Sequence, residues 1–218
     1  MTALNCFVTP EAVHIATDGA GYLVDGSPCG QNQKVAILGH LPAVIAIRGP
    51  VALIHSVTAG VAPSFRDFDA MIAAAPDSFR SIHAAYVKTM EAGGHSAFIP
   101  RAVEFVIGGY SQARRQVEAY LLSSGAQGGL DPWTICQVPD DIISPMSDGV
   151  AAAIGDIARD VGAPWQDPDA WALRLMEAQR AHKLSLENGH EVVAAGAFCQ
   201  LTTLTREGIA TRVLRRWE

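Results

Sequence analysis

At 218 residues the chain has room for one domain, 1–218, whose core needs neither disulfide nor metal to hold it. A net charge of −6 excludes the basic face that a nucleic-acid partner demands, and a charged fraction of only 17% points either to subunit interfaces or to a thick, layered core. No apolar run reaches the roughly 18–20 residues needed to cross a bilayer and no signal-peptide pattern opens the chain, so a soluble cytoplasmic protein without a membrane partner is expected. Its four scattered cysteines (Cys6, Cys29, Cys136, Cys199) should then be free, mostly buried thiols.

Alternating apolar positions predict a strand over 3–8, with Ala3, Cys6 and Val8 on one face, a turn at Thr9-Pro10-Glu11, and a returning strand AVHIATD at 12–18. The glycine-rich stretch 19–30 holds one short strand. A second hairpin is predicted from KVAILG (34–39) and PAVIAIRG (42–49), the run PAVIAI being apolar enough to be covered on both sides. Helices follow: one after Pro50, a short one over Asp67–Ala75, and a separate one opened by Pro76-Asp77 and stopped by Gly93-Gly94. Strands return at 102–110, 116–124 and 133–138, helices at 148–162 and 168–184, and a last hairpin joins 191–205 to 209–217. Strands, helices, strands, helices, strands in that order predict an α+β fold: two stacked antiparallel sheets with helices on both outer faces, a four-layer αββα sandwich.

Three polar residues stand at strand ends where the apolar pattern has no use for them. Thr2 opens the first strand, Asp18 closes the second sixteen residues later, and Lys34 opens another after sixteen more. A threonine hydroxyl is a poor nucleophile unless a base takes its proton. A threonine at the chain terminus carries such a base in its own α-amino group, whose ordinary pKa is near 8. A nearby lysine stabilises the developing negative charge, and an aspartate holds that lysine in place. The order and spacing of this trio resemble the proteasome β-subunit family of N-terminal-nucleophile hydrolases, of bacterial type. The likeness extends to FVIGGYSQARRQVEAYLLSSG (105–125) and to the C-terminal AAGAFCQLTTLTREGIATRVLRRW (194–217).

The resemblance implies a proteasome-like fold in which Thr2, exposed by removal of Met1, attacks a peptide or small amide substrate. Lys34 tunes the nucleophile and Asp18 holds Lys34. Gly49 in AIRG, one residue later than the family spacing, donates to the oxyanion, and Ser147 is the counterpart of a supporting serine. It implies no cofactor, implies a homo-oligomer, and leaves an ATPase partner open. The chain departs from the family in its supporting residues. Gly19-Ala20-Gly21-Tyr22 replaces a Ser-Arg-x-Thr stretch, and the positions of an Asp and a Ser that support the amino terminus hold Val192 and Ala195. A non-catalytic scaffold on the same fold is the alternative reading, and a small-molecule amidohydrolase a third. The seven histidines show no metal-ligand spacing, and Asp156 and Asp160 sit four apart as on a solvated helix face. Arg212, Arg215 and Arg216 read as exposed strand residues.

Overall fold

The computed structural model describes all residues except 1, 24–26, 61, 101, 127–128, 186–190 and 218. Strands β1 (Leu4–Val8), β2 (Ala12–Asp18), β3 (Ala20–Tyr22), β4 (Pro28–Gln31), β5 (Val35–Leu38) and β6 (Ala43–Arg48) come first. Helices α1 (Val51–Gly60) and α2 (Phe68–Ala92) lead to β7 (Glu104–Ser111), β8 (Gln116–Ser123), β9 (Ile135–Gln137) and β10 (Asp141–Ser144). Helices α3 (Asp148–Val161) and α4 (Pro168–Ala181) precede the strand pair β11 (Leu184–Ser185) and β12 (Glu191–Val192), and β13 (Phe198–Thr205) and β14 (Ile209–Arg216) end the chain.

Two five-stranded antiparallel sheets, ordered β10-β1-β2-β13-β14 and β5-β6-β7-β8-β9, lie face to face. Period-two alternation sorts their side chains into three apolar layers. Between the sheets pack Leu4, Cys6, Val13 and Ile15 against Val44, Ala46, Val106 and Ala119. Under α3 and α4 lie Ala3, Phe7, Ala16 and Leu201 with Trp171, Leu175 and Met176. Under α1 and α2 lie Ile45, Ile47, Phe105 and Ile107 with Leu53, Met71 and Phe79. The fold is therefore α+β, four layers in the order helix, sheet, sheet, helix. Ala43 through Ile47 are all fully buried, which is why PAVIAI carries no polar residue. Ala3 does not share a face with Cys6 and Val8: an odd step along a strand reverses the side chain, so Ala3 faces the helices and Cys6 the other sheet.

Four segments depart from the sequence reading. The glycine-rich stretch 19–30 carries two strands rather than one, β3 pairing antiparallel with β4. The two helices expected to either side of Pro76 are one, Phe68–Ala92, with Pro76 inside it. Phe68, Met71, Ile72, Ala75 and Phe79 all bury against the same sheet, and that continuous stripe outweighs the lost amide hydrogen bond. Strand β10 opens at Asp141 and is the edge partner of β1, with Cys6 opposite Ile142. Its alternation over four residues is too brief to stand out. The strand expected from 191 to 205 is broken: β12 pairs with β11, and regular pairing resumes only at Phe198, past Ala197 with its φ of 61°.

Candidate functional site

The first hairpin sets the register of the site. Leu4 pairs with Thr17, and beyond it Ala3 and Asp18 exchange backbone contact through Asp18 N–H to Ala3 O at 3.2 Å. The Asp18 carboxylate is fully buried and gathers four donors. Its Oδ1 accepts from Lys34 Nζ at 2.5 Å and from the Ala3 amide at 3.0 Å. Its Oδ2 accepts from the Ala20 and Gly196 amides, each at 3.0 Å. One carboxylate thus ties the start of β1, the start of β3, the loop before β13 and the first lysine of the second sheet.

Lys34 reaches Asp18 because it stands just ahead of β5, whose neighbour β6 hydrogen-bonds back through Ile47 N–H to Lys34 O at 3.0 Å. The lysine is only 3% exposed. Burial pulls its pKa below the ordinary lysine value, and Asp18 opposes that pull. Burial likewise pushes Asp18 up, against the Lys34 charge and the Gly196 and Ala3 amides. A carboxylate with four donors and an ammonium in direct contact make a charge-assisted pair that neither partner can leave cheaply. Thr2, adjacent to Ala3, is 5% exposed. Met1, whose removal the terminal-nucleophile reading requires, lies outside the described residues.

Gly49 follows β6 two residues beyond Ile47, with φ at 157°. A Cβ there would stand 2.7 Å from Val103 Cγ1, so the position accepts glycine and little else. Beside it Arg48 forms a two-pronged pair with the buried Glu104, its Nε donating to Oε2 at 2.7 Å and its Nη2 to Oε1. Ser147 is the N-cap of α3 and its Oγ accepts from the Val150 amide at 3.2 Å. The structure therefore brings Asp18, Lys34 and the backbone beside Thr2 into one cluster. It sets Gly49 at the end of the strand that pairs with Lys34, and it gives Ser147 a helix-capping contact. Val192 and Ala195 are buried apolar residues, and Ala195 packs under the helices.

Sequence reasoning missed Tyr22 and Arg180. Both are half-buried and lie close to Gly196, whose amide donates to Asp18 Oδ2. The only sequence signal was a tyrosine where the resembling family has a small polar residue. Among the described residues, no three His, Cys, Asp or Glu side chains converge as metal ligands would; His190 lies outside them. The four cysteines carry no disulfide: Cys6 and Cys199 are buried, Cys136 is half-buried, and Cys29 is exposed rather than buried.

No family model matches the chain, and no curated protein matches it. Among solved structures, the fold is similar to a Gly-1 mutant of Anbu from Hyphomicrobium sp. strain MC1, at a TM-score of 0.65 and 10% identity, over 98% of this chain and 87% of that one. The architecture is thus proteasome-like. The sequence resemblance to proteasome β subunits is corrected accordingly: no family match carries membership, the structural likeness is to Anbu, a proteasome-related protein, and at 10% identity that likeness carries the fold alone.

Proposed function

We propose that this protein is an amide-bond hydrolase with Thr2 as N-terminal nucleophile once Met1 is removed. The observation that carries the reading is the buried Asp18 carboxylate, which holds Lys34 Nζ at 2.5 Å and the Ala3 amide at 3.0 Å, one residue from Thr2. Thr2 Oγ adds to the substrate carbonyl, and its proton passes to the free α-amino group directly or through water. The amine leaving group takes that proton as the C–N bond breaks, leaving an ester that water hydrolyses. Lys34, its pKa lowered by burial, stabilises the negative charge beside the hydroxyl, and the Gly49 N–H is the candidate oxyanion donor, a contact worth about 3 kcal/mol in comparable sites. The substrate is a peptide or a smaller amide, and the protein works as a cytoplasmic homo-oligomer, in keeping with its 17% of charged residues.

The test pairs intact mass with labelling. Protein lacking Met1 should be labelled by a threonine-directed electrophile, and Thr2→Ala and Lys34→Ala should abolish labelling while light scattering shows an unchanged oligomer. Equal labelling of wild type and Thr2→Ala would sink the reading. A second reading, a non-catalytic scaffold on this fold, is favoured by one observation: the two positions where supporting polar groups were sought hold the buried Val192 and Ala195. Retention of Met1 in protein from its own host supports that alternative.

A further inference from the structure

The Asp18 carboxylate divides its partners between two sides. Oδ1 faces Lys34 and the first strand, while Oδ2 faces the Ala20 and Gly196 amides. Those two amides belong to a tight crossing of chains. Gly19 N–H and Ala20 N–H both donate to Gly196 O, at 3.0 and 3.1 Å, and Ala197 beyond it has a φ of 61°, a conformation unfavourable for a non-glycine residue.

Two side chains stand over it. A Cβ built on Gly196 would lie 3.1 Å from the Tyr22 hydroxyl, 3.0 Å from Ala20 Cβ and 4.0 Å from Arg180 Nη1. Tyr22 ends β3, two residues past Ala20, so its ring is carried by the strand whose first amide binds Asp18. Arg180 comes from the last turn of α4 and stacks on Trp217, its Cζ 5.2 Å from the ring centroid. Trp217 is held in turn by its amide, which donates to Ala197 O at 2.8 Å. The phenol oxygen and the guanidinium thus stand close to the same glycine from different elements, and Trp217, under Arg180, is hydrogen-bonded to that loop.

We propose that Tyr22 and Arg180 are positioning residues that clamp the Gly196 loop onto Asp18 Oδ2, and so hold the Asp18–Lys34 pair in place beside Thr2. This rests on the hydrolase reading for its catalytic consequence, though not for the clamp itself. The groups facing the phenol agree with the placement: burial and the Asp18 charge push the Tyr22 hydroxyl above its ordinary pKa of 10, and Arg180 pulls it down. On the remaining side, Cys29 of β4 approaches Gly21 and adds its own influence on Lys34.

The test uses the full chain. It has four tyrosines, so ¹³Cζ-labelled tyrosine gives few signals, and Tyr22→Phe assigns the one of interest. The Tyr22 midpoint should rise in Arg180→Gln, which removes a cation, and fall in Asp18→Asn, which removes an anion. Should Asp18→Asn fail to fold, Arg180→Gln carries the titration alone. In parallel, Tyr22→Phe and Arg180→Gln should slow Thr2-dependent labelling at least about tenfold and displace its pH profile, with Arg180→Lys restoring part of the rate. A Tyr22 midpoint indifferent to these charges overturns the clamp whatever the labelling shows. Thr2-dependent labelling with unchanged rate and pH profile overturns the positioning role and leaves the hydrolase standing. Absence of Thr2-dependent labelling in wild type removes the hydrolase instead, and the titration then decides the clamp.

Discussion

Asp18 and Lys34 illustrate how little a buried ion pair says about stability. Burial works against the charged form of each, and the mutual attraction with the backbone amides offsets that cost. Removing one partner strands the other: Asp18→Ala and Lys34→Ala should each lower the unfolding free energy by about 3–5 kcal/mol, read by urea denaturation. The double variant Asp18→Asn/Lys34→Met should recover most of that loss, because no uncompensated charge remains. A double variant as unstable as the worse single one would show that the pair contributes more than charge neutralisation. At Gly49 the issue is space. Gly49→Ala sets a methyl 2.7 Å from Val103 Cγ1 and should cost about 1–3 kcal/mol in the same denaturation, part of it regained when Val103→Ala is added.

Among the elements, α2 shows tertiary burial overriding local signals. Pro76 read as a helix start because proline favours the first turn and disrupts interiors. The core stripe from Phe68 to Phe79 keeps the helix whole across it. Pro76→Ala restores a backbone donor and should raise stability by about 1–2 kcal/mol, less the unfolded-chain entropy that proline removes. An unchanged or lower melting temperature would mean that the ring's own packing outweighs the hydrogen bond. Strand β14 carries Arg212, Arg215 and Arg216 as exposed strand residues, and tertiary structure gives them partners. Arg212 pairs with Asp169 and Arg215 with Glu177, both on α4, and Arg216 lies over Phe198 at 5.5 Å. The exposed arginines fasten the edge strand to the helix above it, and they put charge on an edge that would otherwise invite further pairing.

For the whole molecule, the four-layer packing buries His14 at 7% exposure, its Nδ1 3.0 Å from Thr203 Oγ1. Burial and then Arg212 lower its pKa below the ordinary 6.5, with Asp169 opposing, and burial lowers His83 in the same sense. The unfolded chain therefore takes up protons near pH 6.5 that the folded chain refuses. Stability is level above that pH and falls as the solution is acidified through 6.5 toward the folded-state values. Thermal unfolding should show a lower midpoint at pH 5.5 than at pH 7.5, and His14→Gln should flatten that slope. Identical slopes in variant and wild type would exclude His14 as a contributor. No helix among the described residues is long and apolar enough to cross a membrane.

Much of the fold is legible in the amino-acid order because period-two and helical apolar patterns report local geometry directly. The β1–β2, β5–β6, β7–β8 and β13–β14 hairpins, the fully covered β6 and the two late helices all follow from such patterns. So does the candidacy of Thr2, Asp18 and Lys34, since three polar residues at strand ends stand out against apolar surroundings. What pattern could not reach depends on partners distant in the chain. The continuity of α2 is set by the sheet beneath it, β10 exists as a strand because β1 offers an edge, and the break at Ala197 serves the crossing at Gly196. Tyr22 and Arg180 lie 158 residues apart and meet only when β3 and α4 are folded onto the same loop, so no local signal could have paired them. Local order decides which segments become strands and helices; the donors around Asp18 were decided by tertiary structure, because a buried carboxylate takes its partners from whatever the fold brings within hydrogen-bond reach.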